Sequence, residues 1–181
     1  NDGPLDMLFN FDTVNENGSY ESFAKTDEEI KTDVISLKRN FMRWYNLLHE
    51  DAYLPIYWEN HDNPRLLNQY GSTKYRDESA KMLLVTSLFL YGTPFMQYGD
   101  EIGMSNLHFE YIEDFYLDEP TKAEVSSWRK EGINDEQILR YLNRSSRLSS
   151  RSIMQWENKE YAGFSDTKPY FPLNPNYKEG V

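Results

Sequence analysis

Between residues 5 and 104 the chain alternates between short apolar runs and segments of helical period. That alternation restricts its fold more than any other feature. "LDMLFNF" (5–11) follows a Gly-Pro turn signal and lacks helical spacing, so it reads as a buried strand. From Asp33 to about His49, Ile35, Leu37, Phe41, Trp44 and Leu48 recur at spacings compatible with one apolar helix face. "LPIYWEN" (54–60) is strand-like again, with Pro55 at its start, where a missing N–H costs least. "TKYRDESAKMLLVTSLFLYG" (73–92) reads as a long helix closed by Gly92, and "TPFMQYGDEIGM" (93–104) as a strand running into a polar turn. Strand, helix, strand, helix, strand predicts an α/β fold with a parallel sheet. Ligand sites in such folds gather at the C-terminal ends of strands. Those ends here carry "NFDTVNEN", "ENHDNPR" and "QYGDEIG".

Beyond residue 104 the chain turns helical and then irregular. Pro120 opens a short helix over Thr121 to Lys130. Asn134, with Gln137 three residues on, caps a second helix reaching Arg147, whose buried stripe is Ile138, Leu139 and Leu142. Thr26 and Glu29 have the spacing of another capping box. From Trp156 the tail is rich in Pro, Gly, Asn and Tyr. It reads as ordered loop, because its aromatic side chains can pack.

The net charge of −11 argues against nucleic acid and against anionic membranes, both of which need clustered Lys and Arg. No run reaches transmembrane length. Aromatic residues make up 15% of the chain, which suits neutral sugars: rings stack on sugar faces and carboxylates accept hydroxyl hydrogen bonds. There is no Cys, hence no disulfide framework and no thiolate chemistry, and a cytoplasmic location is allowed.

Three clusters could carry chemistry. Asp62, just past an apolar strand end, can accept sugar hydroxyls or stabilise positive charge on a sugar ring. His61 beside it can donate to hydroxyl oxygens, and Arg65 can hold a carboxylate in its charged state. By spacing alone an ordinary Asn-His-Asp-Asn-Pro turn is the better reading of this stretch. Asp100 and Glu101 are adjacent on an extended segment, so they point to opposite faces and cannot address one bond. They read as a loop closing a strand end, with one acid paired to an Arg. Arg147 and Arg151, four apart, would share a helix face, and Arg151 can fork onto hydroxyls or a carboxylate. The three His residues (49, 61, 108) lack zinc spacing, and no calcium loop or phosphate-binding glycine loop occurs, so no metal and no cofactor are expected.

Several segments taken together resemble one family. "ENHDNPR" is similar to the seventh-strand Asn-His-Asp motif of the α-amylase superfamily (glycoside hydrolase family 13). "GTPFMQYGDEIGM" resembles the eighth-strand segment of its oligo-1,6-glucosidase, dextran glucosidase and trehalose-6-phosphate hydrolase branch. "YRDESAKML" resembles the helix between those strands, and "LDMLFNF" the sixth strand. "MQWENKEYAGFSDTKPYFPLNPNYKE" resembles the stretch leading towards a C-terminal β domain. The resemblance implies the C-terminal part of a (β/α)₈ barrel, about strands six to eight, over residues 1–156, and an extended connecting segment over 157–181. It implies retaining hydrolysis of α-glucosidic bonds, α-1,6 above all, in short gluco-oligosaccharides. Asp62 takes the place of the transition-state-stabilising Asp, His61 of its sugar-binding neighbour, and Arg151 of an Arg that grips the non-reducing terminal glucose. The chain also departs from the family. It has "RLSSRSI" where the family has Arg-Asp-Asn-Ala-Arg-Thr-Pro, so Leu148 replaces Asp and Ile153 replaces Pro. Gln97-Tyr98-Gly99 inverts the usual Tyr-Gln-Gly.

The resemblance places the nucleophile and the acid/base after strands four and five, before Asn1. This chain alone is therefore expected to be inactive. A trehalose-6-phosphate hydrolase or another α-glucosidase of the branch is an alternative, and a non-catalytic carbohydrate-binding relative is a rival from another class. Three barrel strands leave sheet edges and an apolar face uncovered, so self-association or a companion chain is expected.

Overall fold

A computed structural model describes residues 5–12, 14, 21–48 and 52–179. Helix α1 (Val34–Leu47) starts where Asp33 accepts hydrogen bonds from the Ile35 and Ser36 N–H groups at 3.1 and 3.0 Å. Its predicted end near His49 lies outside the described residues. Phe41 is buried, with Leu37, Trp44 and Leu48 packed beside it. Ile35, assigned by period to the same stripe, is exposed. It sits two residues from Leu37, roughly 200° around the helix, on the opposite face.

Strand β1 (Pro55–Ile56) pairs in parallel with β2 (Thr93–Pro94), Pro55 opposite Thr93 and Ile56 opposite Pro94. Both strands are two residues long, and among the described residues they form the only sheet. The expected strand over 5–11 does not form. Leu5, Leu8, Phe9 and Phe11 are exposed rather than buried, and no ladder bonds hold the segment. The segment is instead tethered through the Asn10 carbonyl, which accepts from the Tyr57 hydroxyl, and through edge-on contacts of Phe9 with Tyr57 and Phe95. Phe11 also meets Tyr57 edge-on, while Leu5 and Leu8 stay exposed.

Between the strands lie α2 (Leu66–Tyr70), a 3-10 turn (Thr73–Tyr75) and α3 (Arg76–Phe89). The short α2 was not expected, because five residues are too few to display a period. Its Leu66, Leu67 and Gln69 are buried. Helix α3 stops at Phe89, short of Gly92. Gly92 (φ +146°) serves the strand instead: a Cβ there would lie 2.2 Å from the Leu54 carbonyl oxygen and 2.9 Å from Ile56 Cγ1. Although the second half of α3 is largely apolar, it buries Leu83 and Ser87 and exposes Met82, Val85, Leu88 and Phe89.

Helix α4 (Glu119–Lys130) begins with Pro120 in its first turn, and α5 (Asp135–Ser145) has the reciprocal Asn134–Gln137 capping box. Ile138 and Leu142 are buried and Leu139 partly so, in a core with Leu107, Ile112, Phe115, Val125 and Leu148. Thr26 donates its N–H and hydroxyl to Glu29, but this opens a 3-10 turn (Asp27–Glu29), not a long helix. The tail packs back onto the body: Asn174 Nδ2 donates to the Ser105 and Asn106 carbonyls at 2.6 and 3.0 Å, and Phe171 joins the α5 core.

Candidate active site

Beyond β1 the chain bends at Trp58 and turns again over residues 60–63. Asn60 shapes the turn, its side-chain oxygen accepting the Asp62 N–H at 2.8 Å and its carbonyl the Asn63 N–H at 3.1 Å. Beneath the turn Arg65 is fully buried. Its Nη1 donates to the Tyr98 carbonyl (2.6 Å) and to Glu59 Oε1 (3.3 Å), and its Nε to the Ser149 carbonyl (3.0 Å). Arg65 therefore ties together the end of β1, the segment after β2 and the 3-10 turn Ser149–Arg151. Glu59 also accepts the Leu66 N–H, with no side-chain exposure.

Asp100 is buried against this cluster and accepts the Gln97 N–H at 3.1 Å, while Glu101 turns outward to the Gly99 N–H. The two adjacent acids face apart, but not as the expected neighbours on an extended segment: both lie in a 3-10 turn (Asp100–Ile102), and their different hydrogen bonds separate them. Burial, followed by the Asp100 charge, raises the Glu59 carboxyl well above its ordinary value; Arg65 offsets only part of this. Burial likewise raises Asp100. The folded state thus holds protons that the unfolded chain releases. The stability from this pair is complete below the ordinary carboxyl range, near about pH 4, and is lost as pH rises through the raised folded values. Asp62, held below its ordinary value, acts with the opposite sign but is half exposed and screened. The urea midpoint is expected to fall between about pH 5 and about pH 8; a midpoint rising over that interval contradicts the assignment.

Asp62 lies above this base, half exposed. Its Oδ1 accepts from Arg147 Nη1 at 2.9 Å and from Arg151 Nη2 at 2.7 Å. His61 Nε2 lies 3.2 Å from the other oxygen, Oδ2, and Arg151 Nε donates to the His61 carbonyl at 2.8 Å. Partial burial pushes the Asp62 carboxyl up. The Arg147 hydrogen bond and the charges of His61, Arg147 and Arg151 outweigh it and hold the group below the usual carboxylate range. The fold thus brings Asp62, His61 and Arg151 together. Arg147 and Arg151 do not share a helix face, since α5 ends at Ser145; the irregular chain beyond it aims both at Asp62.

Asp118, at the N-terminus of α4, went unnoticed in the sequence. It takes a two-pronged fork from Arg147, Nε and Nη2 each at 2.8 Å. No local pattern marks it, because its partners lie a helical hairpin away.

A hollow of about 360 Å³ opens beside His61, walled by Phe9, Phe11, Tyr57, Phe95 and Gln97 at the strand ends. A larger one of about 1070 Å³, lined by Asn68, Asn106 and Asn143 among others, touches none of Asp62, His61 and Arg151. The smaller hollow has the aromatic walls on which a sugar ring stacks; His61 lines it, while Asp62 and Arg151 do not. Among the described residues no group of three or more His, Asp or Glu could hold a metal, and no helix is long and apolar enough to cross a membrane.

Known proteins resemble this chain in sequence and in fold. The oligo-1,6-glucosidase of Halalkalibacterium halodurans is 36% identical over 97% of the chain, which spans 31% of that enzyme. The trehalose-6-phosphate hydrolase of Escherichia coli K12 is 37% identical over 82% of the chain and 27% of its own length. The solved Bacillus licheniformis trehalose-6-phosphate hydrolase superposes with a TM-score of 0.85 at 34% identity, over 97% of the chain and 31% of its own. The chain spans about a third of the length of the relatives it matches. The α-amylase catalytic-domain family matches residues 1–181 throughout, and the chain belongs to that family.

Proposed function

We propose that this chain is one wall of the glucose-binding site of a retaining α-glucosidase acting on α-1,6 bonds in short gluco-oligosaccharides. The observation that carries this reading is the half-exposed Asp62, pinned on Oδ1 by two arginines and next to His61, which lines an aromatic hollow. Its Oδ2, with His61 alongside, accepts the C2 and C3 hydroxyls of the glucose ring. Those bonds strengthen as positive charge develops on the ring in the oxocarbenium-like transition state. Arg151 contacts both the Asp62 carboxylate and the His61 carbonyl, a position from which it grips the terminal glucose. The segment 5–11, β1 and β2 take the places of barrel strands six, seven and eight. Residues 1–156 belong to the barrel, and 157–181 lead towards a C-terminal β domain.

The nucleophile and the acid/base come from outside these 181 residues. The nearby carboxylates are already engaged: Asp118 in the Arg147 fork, Glu59 and Asp100 in the buried base. Retaining hydrolysis needs two accessible carboxyl groups flanking the bond. The exposed apolar side chains of 5–11 and α3 are the surfaces through which the isolated chain self-associates.

The test compares the whole enzyme carrying this chain with the pure 181-residue chain on p-nitrophenyl α-glucoside and isomaltose. The whole enzyme turns over and the chain alone does not. Turnover by the chain alone would place the catalytic pair within it. A whole enzyme that binds isomaltose without cleaving it would favour the carbohydrate-binding alternative.

A further inference from the structure

We infer that Asp118 is a positioning residue that keeps the sugar-facing oxygen of Asp62 clear of Arg147 by taking that arginine's two-pronged fork, an inference that rests on the glucosidase reading above. Two carboxylates and two guanidinium groups close a ring here. Arg147 gives Nε and Nη2 to Asp118 and only Nη1 to Asp62. Arg151 gives Nη2 to Asp62, with Nη1 3.9 Å from Asp118 Oδ1. The two acids differ in setting: the Asp118 side chain is 12% exposed and Asp62 51%. The inner acid therefore takes the two-pronged fork, which is the more directional bond, and the outer acid takes single contacts on one oxygen.

The side chains facing Asp62 are His61, Arg147 and Arg151, and those facing Arg147 are Asp118 and Asp62. With Asp118 neutral, Arg147 has one full negative charge left within reach. It would turn its fork onto Asp62 and cover Oδ2, the oxygen that the ring hydroxyls need. Substrate would then have to displace a guanidinium before binding, while the bond-breaking groups stay as they were. The effect falls on binding more than on turnover.

The test uses Asp118→Asn and Asp118→Glu in the whole enzyme, and Asp118→Asn in the 181-residue chain with carboxyl-carbon NMR on Asp62. In the whole enzyme Asp118→Asn raises KM about tenfold with kcat within about twofold, and Asp118→Glu recovers part of the loss. In the chain, Asp118→Asn moves the Asp62 titration to lower pH, because Arg147 now bonds it more fully. A fall in kcat at unchanged KM, or an Asp62 titration that moves up towards the ordinary Asp value, overturns the proposal. The NMR readout needs no catalysis. It decides the role of Asp118 even if the whole enzyme proves to have no α-glucosidase activity, the result that would overturn the glucosidase reading instead.

Discussion

Asp62→Asn in the whole enzyme is expected to lower kcat/KM by about 10²–10³-fold, as expected for the loss of one preorganised electrostatic contact to a developing charge. Asn keeps the shape and can still accept one arginine hydrogen bond. It removes the negative charge and leaves Arg147 and Arg151 with Asp118 as their one shared carboxylate, beside a ring that becomes positive itself. Most of the loss therefore falls on kcat, since the contact strengthens between ground state and transition state. Folding should be nearly unaffected, because Asp62 is half exposed and its ion pairs are screened. Initial rates on p-nitrophenyl α-glucoside, with the urea midpoint as control, measure both. Turnover within about twofold of the unsubstituted enzyme would remove Asp62 from the mechanism.

The largest expected effect on stability comes from Arg65→Met. The substitution keeps volume and deletes a guanidinium that is fully buried and shared among Glu59, the Tyr98 carbonyl and the Ser149 carbonyl. Glu59 and Asp100 then lose their buried cation and the Tyr98 and Ser149 carbonyls their donor, and a loss of about 3–5 kcal/mol is expected. The Glu59 carboxyl, raised to about 8 with Arg65 present, is raised further without it and keeps its proton at neutral pH, so the penalty grows as pH rises through about 8. Glu59→Gln on top of Arg65→Met removes that alkaline increase, because it deletes the group that would ionise. Urea unfolding of the 181-residue chain measures these differences. A loss under about 1 kcal/mol for Arg65→Met would mean that the cluster is not what ties the two strand ends to the 149–151 turn.

The helices were legible wherever the sequence carried both a period and a cap. Asp33 ahead of Phe41 and Trp44 located α1, and Asn134 with Gln137 located α5 to within two residues at its far end. The parallel pairing of β1 with β2 followed from an apolar run on each side of a long helix. Strand lengths were not legible. Pairing requires a neighbouring backbone, and an apolar run such as 5–11 reads the same whether or not one is present. Of the site, the turn at Asp62 was visible as a strand end loaded with polar residues. Helical spacing suggested that Arg147 and Arg151 share a face, but it did not aim them at Asp62; they converge on it from the chain beyond α5. Asp118 had no signal, since its meaning lies in two arginines across a helical hairpin. Arg65 was seen as a carboxylate partner. Its burial beneath the site depends on packing from three separated segments, which no local pattern encodes.

That Asp62 faces the glucose ring is tested most directly by a crystal structure of the whole enzyme, its acid/base disabled, with isomaltose bound. Glucose is expected in the aromatic hollow beside His61, with Asp62 Oδ2 within hydrogen-bond distance of the C2 and C3 hydroxyls and Arg147 still forked onto Asp118. A glucose ring bound elsewhere, with both Asp62 oxygens closed off by the arginines, would contradict it.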